Sequence, residues 1–171
     1  MYRLFEDRIR VHYGQAYVVS KGCRDVVLDD AFLGQSNGIC GAGVAGGLLL
    51  MTGLHTGWVS MAVSLHEVEP AIDGSWEEIV DAPFTFIGEN VSLQEWGGDT
   101  VCDLPLTNQS YMVRYCAKGF GIAEELGKAD DEVPVEFYSL QFWPATRRPD
   151  LVRKQTAAKA AYWHEFAKGL R

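Results

Sequence analysis

Apolar residues in this chain recur at every second position, stretch after stretch, and that period limits the fold more than any other feature. Ile9, Val11, Tyr13, Gln15, Tyr17 and Val19 alternate with Arg8, Arg10, His12, Gly14, Ala16 and Val18, the pattern of a strand with one face buried. Val59, Met61, Val63 and Leu65 repeat it against Trp58, Ser60, Ala62, Ser64 and His66. Further strands read at 76–86, 91–96, 101–104, 111–117 and 135–143. Turn material separates them: Pro70 to Gly74, Gly88-Glu89-Asn90, Gly97-Gly98-Asp99 and Pro105 to Ser110. In the 111–117 strand, Tyr111, Val113 and Tyr115 share one face, and Met112, Arg114 and Cys116 the other.

Short strands in series, with gaps too short for crossover helices, predict a mainly β chain. The expected architecture is an antiparallel β-sandwich with a C-terminal α-helix packed on it. At 171 residues one domain is the natural count, with the sandwich over 8–143 and the helix over 149–168. Pro149-Asp150 opens that helix, and Leu151, Val152, Ala158, Tyr162, Trp163 and Phe166 follow at near-helical spacing until Gly169. Its aromatic stripe is expected to cap the sandwich, with partner binding as the alternative. Residues 118–134 read as an acidic surface loop with room for a brief helix at 122–126. Trp58, Phe137 and Trp143 fall on strand faces opposite the core. They form either a second core layer under the C-terminal helix or an apolar recognition patch.

Charge is sorted by position. Residues 1–24 balance at +3, residues 146–171 at +5, and the 121 residues between them at −16, giving the net −8. Such a body repels nucleic acid and attracts basic surfaces, so direct nucleic-acid binding is not expected. Either a basic protein partner answers this field, or the basic ends lie back on the acidic body of the same molecule. The charged start at 1–8 lacks the apolar core of a signal peptide. Gly46–Met61 is too short and too glycine-rich to span a bilayer. A cytoplasmic location away from membranes is expected, with Cys23, Cys40, Cys102 and Cys116 as free thiols.

No catalytic signature is complete. Gly41-Ala42-Gly43-Val44-Ala45-Gly46 spells GxGxxG, with Glu67 at 21 residues from the last glycine. The segment before it contains Gly34, Ser36, Asn37 and Gly38, unlike a buried parallel strand, and Gly46-Gly47 and Gly53 would break the helix behind it. The glycines therefore read as turns and close packing, and no cofactor is expected. The same Gly34–Gly57 segment supplies a candidate pocket: Gln35, Ser36, Asn37, Cys40 and His55. Within it, Cys40 and His55 form a conceivable nucleophile pair without a third orienting group. Asp29-Asp30 beside a histidine suits a metal less well than a solvated loop, so no metal site is assigned.

Three stretches resemble a known family. Arg10 to Tyr17 is similar to the N-terminal strand of the ComJ-type competence proteins. Trp76 to Phe86 with Glu89 to Leu93 resembles their central strands around a Pro-Phe. Asp103-Leu104-Pro105 with Ser110 to Cys116 resembles their Leu-Pro turn and final strand. The order is kept over about residues 8–117, while Gly34–Gly57 and everything beyond Lys118 fall outside the likeness. The whole chain is also similar to uncharacterised bacterial proteins of its length, which adds no function. The resemblance implies a non-enzymatic β-sandwich that binds a protein, since that family inhibits a partner nuclease of DNA uptake.

The expected function is accordingly a non-catalytic binding protein, an inhibitor or immunity-like factor for a basic nuclease. Glu67, Glu69, Asp73, Glu77, Glu78 and Asp81 around the Pro70–Trp76 turn are the expected contacts, mainly raising association rate and selectivity. The alternative is a small-ligand-binding protein or enzyme using the 34–57 loop with Cys40 and His55. The glycine motif yields a direct test. Thermal-shift titration with NAD, NADP, FAD or ATP is expected to be silent, whereas a tight nucleotide at about 100 times its Kd would add roughly 2.7 kcal/mol. A clear shift with one of them refutes the structural reading of the glycines.

Overall fold

The first alternating stretch is not one strand but two. In the computed structural model, which describes residues 1–127 and 133–170, β1 (Tyr2–Val11) and β2 (Gln15–Ser20) flank a tight turn. Tyr13 and Gly14 there have φ of 54° and 63°, and the Gln15 amide donates to the His12 carbonyl at 3.2 Å. Two consecutive positive φ values make this a type I′ turn, whose twist suits adjoining strands. Parity inverts across it: Ile9 and Val11 are buried, then Ala16 and Val18 rather than Tyr17 and Val19. The two strands then enter different sheets.

The remaining elements are α1 (Leu28–Phe32), β3 (Cys40–Gly41), β4 (Gly47–Met51), β5 (Gly57–Leu65), β6 (Glu78–Thr85), β7 (Val91–Glu95) and β8 (Thr100–Leu104). They are followed by β9 (Ser110–Lys118), α2 (Ile122–Glu125), β10 (Phe137–Pro144), β11 (Leu151–Lys154) and α3 (Ala158–Gly169). A six-stranded sheet runs β1-β5-β10-β9-β6-β11, and a five-stranded sheet runs β3-β4-β2-β7-β8. The chain is thus mainly β with two sheets and a C-terminal helix, as expected. The β5–β10 pair is parallel and the other ladders are antiparallel. Of the expected acidic loop at 118–134, residues 128–132 lie outside the described residues, and the brief helix appears as α2.

Alternation sets the core. Val59, Met61 and Val63 of β5, Tyr111, Val113 and Tyr115 of β9, and Tyr138, Leu140 and Phe142 of β10 are buried. With Val18, Leu49 and Leu93 they belong to one apolar cluster, and each large side chain contributes roughly 1.5–3 kcal/mol on burial. The Tyr111 hydroxyl accepts from the Thr107 amide at 3.0 Å and donates to the Thr107 carbonyl at 3.1 Å. That contact to backbone four residues upstream resembles the tyrosine corner of Greek-key sandwiches. It fixes how β9 begins.

The C-terminal helix is shorter than expected. Residues 151–154 form β11, which pairs antiparallel with β6 and covers what would otherwise be an open sheet edge. The helix begins only at Ala158, and its buried stripe is Ala160, His164 and Ala167 rather than an aromatic one. Tyr162 is 62% exposed. Gly38 lets α3 dock, because a Cβ there would lie 1.8 Å from the Trp163 carbonyl oxygen. The Gly38 amide donates to His164 Nδ1 at 2.9 Å.

Trp143 is buried, yet not under the helix. It lies on the outer face of the six-stranded sheet with the Arg114 guanidinium 5.4 Å from its ring. Arg114 is 1% exposed and grips Asp81 in a bidentate pair, Nε to Oδ1 at 2.8 Å and Nη2 to Oδ2 at 3.0 Å. Two further donors reach the Pro70 carbonyl and Glu69. The Glu67–Trp76 loop is therefore drawn over this face by the cation beneath it. Removing one partner of a buried pair leaves the other uncompensated. Arg114→Ala is expected to lower the urea-unfolding free energy by about 3 kcal/mol, against at most about 0.5 kcal/mol for the exposed Lys21→Ala. A loss below about 1 kcal/mol refutes this role.

Candidate functional site

The six expected acidic contacts separate into interior and surface groups. Asp81 is 2% exposed and bound by Arg114 and by Arg153 Nε at 2.8 Å. Glu78 is 0% exposed and accepts the Thr156 amide at 3.0 Å and the Ala157 amide at 2.6 Å. These two cannot meet a partner. Its pairing opposite Arg114 puts Asp81 on the outer face of the six-stranded sheet, but that face is roofed. Glu78 supplies amide acceptors where α3 has no side-chain cap of its own. Burial pushes its carboxyl above the usual carboxylate range, an effect the Ala157 and Thr156 amides oppose.

Glu69 is exposed but held by Arg148 at 3.0 Å and Arg114 at 3.1 Å, which lower its pKa, the Arg148 hydrogen bond first. Glu67 and Asp73 are exposed and Glu77 half-buried. The Asp73 carboxylate accepts the Ser75 amide, and Glu77 accepts the Gly119 amide. The C-terminal basic segment does lie back on the acidic body: Arg148 and Arg153 on Glu69 and Asp81, Lys159 on Glu124. At the other end Lys21 pairs with Glu89 and Arg24 with Asp30.

The candidate pocket residues are also divided. Gln35 lines a cleft of about 350 Å³ with Leu33, Gly43, Arg147 and Asp150. With Ser36 it lines an adjoining one of about 680 Å³. Asn37 is fully buried behind them, where with Ser36 it wraps Asp150: the amides and side chains of both residues donate to one carboxylate oxygen at 2.7–3.1 Å. Cys40 is wholly buried, and burial raises its thiol far above the ordinary range. His55 is exposed on a different turn, its Nδ1 2.8 Å from Thr56 Oγ1. Cys40 and His55 therefore do not form a nucleophile pair. The Cys116 thiol is pushed up to about 12, again by burial.

The GxGxxG glycines serve packing. Gly41 ends a two-residue strand, and a Cβ on Gly43 would lie 2.2 Å from the Asp30 carbonyl oxygen of α1. The Gly43 amide donates to the Ala31 carbonyl and the Ala42 amide to Gln35 Oε1. A strand–turn–strand follows instead of strand–helix. Among the described residues no group of three His, Cys, Asp or Glu is placed to hold a metal, and no helix is long and apolar enough to cross a membrane.

Two features escaped sequence reasoning. His164 is 4% exposed, its Nδ1 accepts from Gly38, and its Nε2 has no partner. Burial, then Lys168, lowers its pKa. The other is a ring cluster on three separate turns. His12, Tyr13, His55 and Trp96 have centroids 4.2–5.8 Å apart, with Tyr13 52% and Trp96 43% exposed. Only the I′ geometry at Tyr13-Gly14 could have signalled it, and a tyrosine there masks that signal.

No protein-family profile matches the chain, and no curated protein matches it in sequence. Two solved structures share its fold. One is ComJ from Bacillus subtilis, an inhibitor of the DNA degrading activity of NucA, with TM-score 0.56 and 15% identity over 84% of this chain and 97% of ComJ. The other is the protein of crocagin biosynthetic gene J, with TM-score 0.53 and 14% identity over 82% of this chain and 96% of that one. The chain has a ComJ-like fold, and the likeness reaches beyond the 8–117 span of the sequence resemblance.

Burial revises what charge reversal does here. Glu77→Lys is expected to change stability little, because that side chain is partly solvated. Glu78→Lys buries an ammonium against the α3 amides and is expected to cost more than about 3 kcal/mol in chemical denaturation. Equal, small losses for both variants refute the buried assignment of Glu78.

Proposed function

We propose that this chain is a non-catalytic binding protein that inhibits a basic protein partner, a DNA-degrading nuclease being the class that its ComJ-like fold suggests. The observation that carries the reading is the extent of the likeness, 97% of the ComJ chain. Two further facts support it. The cysteines with burial enough to be held rigidly, Cys40 and Cys116, are kept as thiols by that burial, which disfavours a nucleophilic role. The chain also keeps a net charge of −8, enough to steer a cationic partner by its field. Glu67, Asp73 and Glu77 stay accessible for that steering after Glu69, Glu78 and Asp81 are engaged internally.

A second reading stands on the clefts that meet at Pro149-Asp150, where Gln35, Ser36 and Arg147 offer a small ligand polar groups beside Leu33 and Pro149. Inhibition and ligand carriage separate in one experiment. Mixed in equal amounts with a basic nuclease of the same cell, the full chain is expected to suppress DNA degradation. Its association rate should fall roughly tenfold as salt rises from about 50 to 500 mM. Glu67→Lys with Asp73→Lys is expected to slow association more than dissociation. A nuclease untouched by equimolar chain refutes the inhibitor reading, and a small molecule retained through purification supports the cleft instead.

A further inference from the structure

The turns at 12–14, 52–56 and 96–99 meet at one end of the sandwich, where His12, Tyr13, His55 and Trp96 form a continuous set of rings. We propose that this tip is the recognition face and that it takes an arginine side chain of the basic partner. The assignment rests on the protein-binding reading above and names its contact surface.

The argument starts from a local misfit. A type I′ turn needs positive φ at both central residues and selects Asn, Asp or Gly there. This chain places a tyrosine at φ 54°, the sole non-glycine with positive φ among the described residues. For a bulky side chain that conformation is strained, and strain of this kind collects at functional sites. The fold gains nothing that asparagine would not supply, since Tyr13 is 52% exposed. The misfit has one visible result: it presents a phenol ring beside Trp96 at 5.1 Å and His55 at 5.1 Å.

The rings are held in place from behind. Thr56 Oγ1 lies 2.9 Å from His12 Nδ1 and 2.8 Å from His55 Nδ1, so one hydroxyl orients both imidazoles. The Glu95 carboxylate accepts the Arg10 amide at 2.8 Å, fastening the Trp96 turn to the end of β1. A preorganised cluster of Trp and Tyr on rigid turns is the composition of an interface hot spot.

Charge selects the occupant. The three turns read His-Tyr-Gly, Thr-Gly-Leu-His-Thr and Trp-Gly-Gly-Asp, with no lysine or arginine and with Asp99 as their formal charge at neutral pH. The neighbouring cations of β1, Arg8 and Arg10, lie with their guanidinium groups 4.6 and 6.0 Å from the Trp58 ring. Exposed π faces on a body of charge −8 attract a cation, and guanidinium stacks on aromatic rings better than ammonium does.

The test uses the full chain and defined probes: hexa-arginine, hexa-lysine, uridine monophosphate and maltose, followed by amide and indole NMR shifts. Hexa-arginine is expected to move Tyr13, Gly14, His55, Thr56 and the Trp96 indole, and to bind roughly fivefold more tightly than hexa-lysine. Tyr13→Asn, which restores the favoured Asn-Gly turn, is expected to keep or raise the melting temperature while removing most of that preference. Trp96→Ala should do the same to binding. Shifts centred on Glu67 and Asp73, equal binding of the two peptides, or variants that bind like the parent overturn the proposal. So does a response at these residues to maltose or the nucleotide but not to hexa-arginine. A tip that binds hexa-arginine while no nuclease is inhibited would leave this face standing and refute only the inhibitor reading.

Discussion

The structure depends on one buried ion pair, Arg114 with Asp81, set directly opposite each other on neighbouring strands of the six-stranded sheet. An isolated arginine at 1% exposure would be prohibitive. Here four of the guanidinium's five N–H donors are met, two by Asp81, one by the Pro70 carbonyl and one by Glu69, with the Trp143 ring against it. Asp81 in turn holds Arg153, and Glu69 holds Arg148. The pair therefore helps to fix two segments, the Glu67–Trp76 loop and the 147–154 stretch, the second of which is also held by the Ser36 and Asn37 donors on Asp150 and by the β11–β6 ladder.

That placement changes what the charge pattern means. Three cations of the basic C-terminus, Arg148, Arg153 and Lys159, are answered by Glu69, Asp81 and Glu124 of the acidic middle. Strand β11 is held at the sheet edge with Arg153 on Asp81 and Lys154 on the carbonyls of Gly74 and Trp76. Surface ion pairs of this kind contribute little each. The Asp81 contacts differ because they lie where water does not compete. What remains for an external partner is a net negative field and the carboxylates that the tail does not reach.

Period two made the sandwich legible: Val59, Met61, Val63 and Tyr111, Val113, Tyr115 fall on the inner face as their spacing requires. It failed where one period hides two strands. The stretch from Ile9 to Val19 kept its alternation through the turn, and only the phase reversal at Tyr13-Gly14 separates the sheets. It failed again at Leu151-Val152, whose apolar pair suits either a helix face or an edge strand, and where the exposed β6 edge decided. Glu78 and Asp81 were legible as carboxylates but not as interior ones. Glu78 shares the inward parity of Val80, Ala82 and Phe84 and meets the amides ahead of α3, whereas Asp81 lies on the outer face, where an acid is solvated only if nothing roofs that face. The roof comes from a loop whose sequence carries no regular period. Cys40 and His55 stand 15 positions apart on either side of β4, and their separation follows from β3–β4 pairing that a glycine-rich segment does not announce.

Two sites show how the sequence divides its work. Gly38 and the His164 imidazole fit α3 against the 34–40 loop with almost no clearance, and Gly53 admits the backbone of Gly121 in the same way. There the residues are those the fold demands. At the 12–14 turn the opposite holds, since the turn geometry calls for asparagine or glycine and the sequence supplies tyrosine. Local preference and global fold normally agree in a natural chain, and a place where they disagree without any packing return points to selection for something outside the fold. The disagreement lies beside exposed Trp96 and not beside the buried carboxylates, which is why the proposed recognition face is the set of aromatic turns, with the acidic body supplying the field that would draw a cationic partner to them.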